Sequence, residues 1–308
     1  MRSRQGSIRL FQFSGIDVYL HWSWFLVAVF EIQSRAGTYS SVVWNVFEYL
    51  ALFLIVMFHE FGHSLACRSV GGRANQIVLW PLGGVAYVDP PPRPGATLWS
   101  IAAGPLVNVA FVPVLLAVGT LVKSSGLATT MPDIIHLIRS VAYINLGLLI
   151  FNILPVYPLD GGQILRSLLW FVLGRARSLM VAAVIGFLGV AGFIFFAVKV
   201  GDSWLGLIAL YMGVNCWSGF QQARALSALA KLPRRAGYKC PICESSPPIG
   251  EYWKCGNCGQ AFDTFATGAV CPRCSSRFDS TRCLDCGRTH AMAEWMGQTI
   301  IVPSPVLK

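Results

Sequence analysis

The sequence predicts an all-α polytopic membrane protein: about six transmembrane helices, a small β-hairpin or membrane loop after the second, and a small cysteine-rich domain at the C-terminus. Three observations carry this. The chain of 308 residues is 55% hydrophobic and 12% charged, where a soluble domain carries about 25% charged residues. Charge is thin over residues 41–230, with 10 Lys/Arg and 6 Asp/Glu in 190 positions, and dense over 231–308, with 10 and 6 in 78. Eight of the ten cysteines lie between Cys240 and Cys286 as four C-x-x-C pairs. A composition break near Lys231 thus separates a membrane body from a polar tail, in keeping with about two domains by length.

A membrane helix needs about 20 mostly apolar residues, and six segments qualify: 18–33, 43–67, 97–121, 139–157, 179–199 and 203–220. The first follows a basic N-terminus but lacks a small-residue cleavage site and contains Trp22 and Trp24, so it is read as retained. After the second, Gln76 to Val88 is β-branched and aromatic with Gly83-Gly84 as its break, which suggests the hairpin or membrane-dipping loop. The proline-rich stretch Asp89 to Gly95 then reads as an extended linker. Residues 221–236 continue the sixth span into a basic membrane-surface connector. The expected domains are a transmembrane body (1–220), a connector (221–239), two metal-binding modules (240–290) and a tail (291–308). No internal repeat is evident. Cys67 and Cys216 stand alone in apolar surroundings and read as buried, inert thiols.

Basic residues cluster at the N-terminus (Arg2, Arg4, Arg9), after the second span (Arg68, Arg73, Arg93), after the fourth (Arg166, Arg175, Arg177) and in the tail. The positive-inside rule puts these on one side, so an even number of spans leaves both termini in the cytoplasm. The plasma membrane is the expected location. The net charge of +10 contains no long basic run, which fits membrane orientation and the lipid bilayer better than nucleic acid.

Within the second span the apolar run continues directly into His59-Glu60-Phe61-Gly62-His63. On a helix, positions i and i+4 share a face, so both imidazoles can point at one ion while Glu60 reaches a water on it. Intramembrane ionisable groups are costly and mark functional sites by default. The alternative is a histidine pair hydrogen-bonded in a helix bundle. A catalytic zinc takes three protein ligands and keeps one position open. The candidate third ligand is Asp160, in Phe151-Asn-Ile-Leu-Pro-Val-Tyr-Pro-Leu-Asp-Gly-Gly162 at the end of the fourth span. Spans two and four run the same way, which brings Asp160 to the depth of His59 and His63. Its alternative reading is a helix-terminating Asp-Gly turn. The helix-breaking Pro155, Pro158, Gly161 and Gly162 are tolerated at membrane depth only against protein or a water-filled cavity.

These motifs, with Ala103-Gly-Pro-Leu-Val-Asn108, Leu82-Gly-Gly84 and the opening Gly15-Ile-Asp-Val-Tyr-Leu-His-Trp22, resemble the six-span branch of the site-2 protease family of intramembrane zinc metalloproteases, over about residues 10–220. The resemblance implies cleavage of a peptide bond in or near the transmembrane helix of a single-pass membrane substrate. It implies zinc ligation by His59, His63 and Asp160 and a general base in Glu60. It makes Asn108 and Asn152 candidates for holding the substrate or the oxyanion, with interhelical hydrogen bonding as the alternative. It makes Gly83-Gly84 a strand edge that pairs with the unwound substrate. The family's six-span members commonly carry a nucleotide-sensing CBS pair after the last span; here a cysteine-rich segment follows instead. The competing function is a non-catalytic membrane zinc protein, a transporter or a helix-holding pseudoprotease, for which a base beside the ligands has no use.

In the tail, Cys240-x2-Cys243-x11-Cys255-x2-Cys258 and Cys271-x2-Cys274-x8-Cys283-x2-Cys286 read as two zinc ribbons paired in sequence, with an interleaved pairing as the alternative. Gly256, Gly259 and Gly287 are placed for the tight knuckle turns. Four-cysteine sites are closed and therefore structural, giving three Zn2+ in all, one catalytic and two structural. Thiolate zinc sites suit a reducing compartment. His290, just after the last knuckle, reads as solvent-facing, with replacement of a cysteine ligand as the alternative. The ribbons are expected to dock a protein partner, because a charge of +4 with dispersed acids is not a nucleic-acid surface.

Overall fold

The computed structural model describes residues 6–80, 83–201 and 203–296; the expectations for Arg2, Arg4, Leu82 and residues 297–308 fall outside them. The chain divides into two compact units. The first runs through Gly174 and resumes over Ser178–Phe220; the second takes in Arg175–Arg177 and the residues from Gln221 onward.

The first unit begins with a β-hairpin. Strands β1 (Ser7–Phe13) and β2 (Ile16–His21) pair antiparallel with Phe13 opposite Ile16. The two-residue turn, Ser14-Gly15, has φ of 49° and 71°. Two left-handed residues give the turn the twist that a right-handed hairpin requires. Helix α1 (Trp24–Ser34) and the long helix α2 (Val42–Ser69) follow. The expected hairpin is present as β3 (Arg73–Trp80) and β4 (Gly83–Asp89). It does not stand alone: β2 pairs in parallel with β3, from Asp17 opposite Gln76 to Leu20 opposite Leu79, making one four-stranded sheet in the order β1-β2-β3-β4. Ile16, Val18, Ile77 and Leu79 on the sheet close a core with Trp24 of α1 and Val56, Met57 and Phe61 of α2. Arg68, in the last turn of α2, donates to the carbonyls of Ser14 and Gly15 and to Asn75 Oδ1. The hairpin turn is thereby tied to the helix it packs on.

Helices α3 (Pro94–Ser124), α4 (Leu127–Thr130), α5 (Pro132–Ile153), α6 (Asp160–Val200) and α7 (Ser203–Ala230) complete the body. Pro94 and Pro132 open their helices, where the missing N–H costs nothing. Helix α6 is broken at Gly174 (φ 76°, ψ 170°), a conformation closed to other residues without strain. Four helices, α2, α3, α5 and α6, are long and apolar enough to cross a membrane among the described residues. Leu121, Leu188, Phe195 and Val198 stand exposed on them, an apolar surface too extensive for water.

Two expectations are corrected. The body is not all-α, because a four-stranded sheet packs on α2. Residues 18–33 are not one helix: their first part is β2, and α1 has 11 residues, about 16 Å of helix. β2 has a partner on each edge, β1 and β3, so its backbone groups are satisfied within the sheet. The sixth expected segment is helical within α7.

The second unit is small and built from knuckles. Hairpins β5 (Trp253–Lys254) with β6 (Ala261–Phe262), and β7 (Ser280–Arg282) with β8 (Thr289–Ala291), frame an aromatic core. Phe265 sits at its centre, with Trp253, Tyr238 and Trp295 rings at 5.0–5.3 Å.

Candidate metal centre and cysteine clusters

The site is assembled by the lower half of α2, the start of α3, the end of α5 and the first residue of α6. His59, Glu60 and His63 are each 6% exposed. Asp160 Oδ2 lies 3.1 Å from His59 Nε2 and 3.4 Å from His63 Nε2, and the two Nε2 atoms are 3.1 Å apart. His63 Nδ1 is 2.9 Å from the carbonyl of Ser100, which only accepts, so Nδ1 carries the proton. His59 Nδ1 donates to Asn108 Oδ1 at 2.6 Å. The amide of Asn108 is oriented in turn, since its Nδ2 donates to Asn145 Oδ1 (2.8 Å) and Asn145 Nδ2 donates to the Asn108 carbonyl (2.9 Å). In its neutral form each imidazole therefore turns an Nε2 lone pair toward the Asp160 carboxylate. Three lone-pair donors facing one another in a buried site repel unless a cation lies among them, and two imidazoles with one carboxylate are a donor set that suits zinc. His59, His63 and Asp160 could hold a metal ion on these grounds.

Small residues make this approach possible. A Cβ on Gly104 would strike both imidazoles, and one on Gly84 would strike the Glu60 side chain. Glu60 Oε2 accepts from the Ala86 N–H at 2.8 Å. That donor belongs to β4, the edge strand of the sheet. A cavity of about 500 Å³ is lined by His59, Glu60, His63 and Asp160, by Gly83, Gly84 and Ala86 of β4, and by Asn152.

Asp160 does not end a span, as the sequence suggested, but opens α6 after the break at Leu154–Leu159, where Cβ atoms on Gly161 or Gly162 would strike the backbone of residues 153–157. Asn108 does not face the cavity. It is fully buried and its amide is committed to His59 and Asn145, so what it does in this structure is orient His59. Asn152, Gly83 and Gly84 do line the cavity. Sequence reasoning missed Ser100, Ala86 and Asn145. The first two act through backbone and left no side-chain signal, whereas an asparagine in the apolar run of α5 was a visible one. Cys67 and Cys216 are buried as expected; Cys216 donates to the carbonyl of Tyr157.

In the second unit the cysteines are paired neither in sequence nor interleaved but nested. Cys240, Cys243, Cys283 and Cys286 form one cluster, and Cys255, Cys258, Cys271 and Cys274 the other. Sulfurs across the two clusters' halves are 3.6–3.7 Å apart, close to the ~3.8 Å edge of a tetrahedron with Zn–S of ~2.3 Å. Each knuckle repeats one turn: the N–H four residues on donates to the first cysteine's carbonyl, from Glu244, Gly259, Ser275 and Gly287. All four have φ of 58–79°. Gly259 and Gly287 thus serve the turns, and Gly256 does not. His290 is not solvent-facing; its ring packs on Trp295 and Nδ1 pairs with Glu294. Arg234 and Arg235 clamp the unit through Asp285 and Asp263, each at 2.6 Å. Burial pushes the Asp263 carboxyl up, but the amides of Gly250 and Ala266 and the Arg235 guanidinium outweigh it and hold it below the usual carboxylate range.

A helical body with an HExxH pair and a distant aspartate at one acceptor-only centre defines a membrane metalloprotease-like class. Comparison with known proteins agrees. Residues 47–133 and 122–196 match peptidase family M50. A zinc metalloprotease of Methanocaldococcus jannaschii is 36% identical over 182 residues, 58% of this chain and 50% of that protein. Stage IV sporulation protein FB of Bacillus subtilis is 32% identical over 120 residues, 38% of each chain. The solved structure of the site-2 protease from Methanocaldococcus jannaschii aligns with a TM-score of 0.51 and 30% identity, over 70% of this chain and 95% of that one. The chain belongs to peptidase family M50, the site-2 proteases. It spans about half the length of the first curated relative.

Proposed function

We propose that the chain is a zinc-dependent intramembrane endopeptidase that cleaves single-pass membrane proteins within or near their transmembrane helix. The observation that carries this is the acceptor-only triangle of His59, His63 and Asp160 beside Glu60, in a cavity walled by an edge strand. His59 Nε2, His63 Nε2 and Asp160 Oδ2 would hold the catalytic ion. Zinc bound there would supply Lewis acidity, lowering the pKa of water to about 7 and polarising a carbonyl. Glu60, anchored through Oε2 by Ala86, takes the proton of the attacking water on Oε1 and passes it to the leaving amine. The edge of β4 at Gly83 and Gly84 pairs with the extended substrate, which a helix cannot offer until it unwinds. The Asn152 amide donates to the substrate carbonyl. A transporter or a pseudoprotease has no use for Glu60, and its presence with all three ligands favours the enzyme.

Six crossings follow if β2 and α1 together make the first, about 20 Å of strand and about 16 Å of helix against a core of about 30 Å, and α7 the sixth. Both termini and the site then lie on the cytoplasmic side of the plasma membrane. The two cysteine clusters bind structural zinc and form a module that docks a protein partner. The body of residues 1–220, the connector 221–239, the ribbons 240–290 and the tail 291–308 remain the working division.

The test is cleavage of tagged single-pass substrates by purified protein, with Glu60→Gln beside the wild type and zinc counted in both. Cleavage by the wild type alone, with about three zinc ions retained in each, supports the reading. Equal cleavage by the variant overturns the role of Glu60. No cleavage by either, with zinc in place, overturns the protease.

A further inference from the structure

A second cavity, of about 370 Å³, lies between α3 and α5 and shares no lining residue with the metal cavity. Its walls are apolar, Leu115, Leu116 and Gly119 on α3 facing Ile138, Ala142 and Leu146 on α5. Two cations also line it: Lys123, in the last turn of α3, and Arg139, two turns into α5. Among the described residues neither is paired with a carboxylate, although the body has few charges to leave unpaired. Both helices are long and apolar enough to cross a membrane, and these cations sit at the end of α3 remote from Ser100 and Asn108, the residues that hold His63 and His59.

We infer that this groove is a binding site for one anionic phospholipid, its phosphate held between Lys123 and Arg139 and an acyl chain lying along the α3–α5 groove. A hydrocarbon chain matches the walls, and long basic side chains reach along such a surface to a headgroup. Two unpaired cations at one apolar groove are complementary to an anionic lipid and not to a second apolar helix, which would leave them unsatisfied. The floor of the groove includes Asn145, whose amide is bonded to Asn108 and through it to His59. A lipid seated there lies over Asn145, the buried far end of the hydrogen-bonded chain that orients His59.

The full-length protein in phosphatidylcholine bilayers, titrated with spin-labelled phosphatidylglycerol or spin-labelled phosphatidylcholine, tests this. Expected for the wild type is a motionally restricted phosphatidylglycerol population of about one per chain, with no matching phosphatidylcholine population. In K123Q/R139Q the affinity falls about thirtyfold, at about 1 kcal/mol for each basic residue near a membrane surface. Leu146→Trp, which fills the groove without changing charge, also displaces the lipid. Both variants alter exposed side chains, so they fold. Equal restriction of the two lipids by the wild type, or undiminished selectivity in K123Q/R139Q, overturns the proposal. So does displacement of the lipid by millimolar inorganic phosphate, which would mark an ion site, or by an apolar transmembrane peptide with phosphatidylglycerol unbound, which would mark a helix-docking groove.

Discussion

Asn108 Oδ1 stands 2.6 Å from His59 Nδ1, and this one contact fixes which nitrogen of His59 faces Asp160. The Asn108 Nδ2 has already been given to Asn145, so the oxygen is the atom presented to the imidazole. Partners of this kind hold the tautomer of a ligating histidine and raise its basicity.

Replacing Asn108 with Ala is therefore expected to lower zinc affinity at the body site 10–100-fold, with proteolysis falling in proportion. Asn108→Asp keeps an acceptor for His59 and should retain most of the zinc, although it loses the donor to Asn145. Competition with a chelator at graded concentrations measures this. Equal loss in both variants would show that Asn108 acts only in helix packing.

The HExxH pair, Asp160 and the β3–β4 hairpin were legible because each depends on a local pattern: i, i+4 spacing, an Asp-Gly break in an apolar run, a Gly-Gly break in a β-branched one. What was not legible depends on distant pairing. The parallel pairing of β2 with β3 joins residues about 60 apart, and no periodicity within 18–33 records that a neighbour will satisfy its backbone. The role of Asn108 is likewise set by Asn145, 37 residues on. The cysteine spacing announced two four-sulfur clusters but not their nesting, which the Phe265 core and the two hairpins decide.

Nested pairing has a direct readout. With 113Cd in place of zinc, Cys240→Ser and Cys286→Ser should each disturb one tail resonance, while Cys255→Ser and Cys274→Ser disturb the other. Sequential pairing would instead couple Cys240 with Cys255. Removing both metals with a strong chelator should expose Trp253 and Trp295 to quencher, because in a unit this small metal binding is folding energy.

Asp263 accepts from Gly250, Phe265 and Ala266 amides and from Arg235, and its folded carboxyl titrates below the unfolded one. The stability it contributes is fully present above the unfolded value of about 3.9 and is lost as pH falls through the folded value. Asp263→Asn should cost about 1–3 kcal/mol at neutral pH. The difference between wild type and variant should hold from pH 8 to about 5 and shrink below 4. Amide exchange at Gly250 and Ala266, compared at each pH, reports it; a gap that widens on acidification would contradict the assignment.

Gly84 and Gly104 separate the base from the metal. A methyl group at 104 would occupy the space of both imidazole Nε2 edges, and one at 84 that of the Glu60 carboxylate. Overpacking of this kind typically costs 1–3 kcal/mol and is relieved by moving whichever neighbour is free to move. At 104 those neighbours are His59 and His63, held on their far sides by Asn108 and Ser100, so relief comes by breaking the ligand triangle. At 84 the neighbour is Glu60, whose carboxylate hangs on one backbone N–H from Ala86 and can swing away with the triangle untouched. Gly104→Ala is thus expected to lose both the body zinc and proteolysis, while Gly84→Ala keeps about the wild-type zinc content and loses proteolysis at least a hundredfold, the scale of a displaced general base. Metal analysis beside a cleavage assay distinguishes the two, and zinc loss in Gly84→Ala would mean that β4 supports the ligands as well as the base.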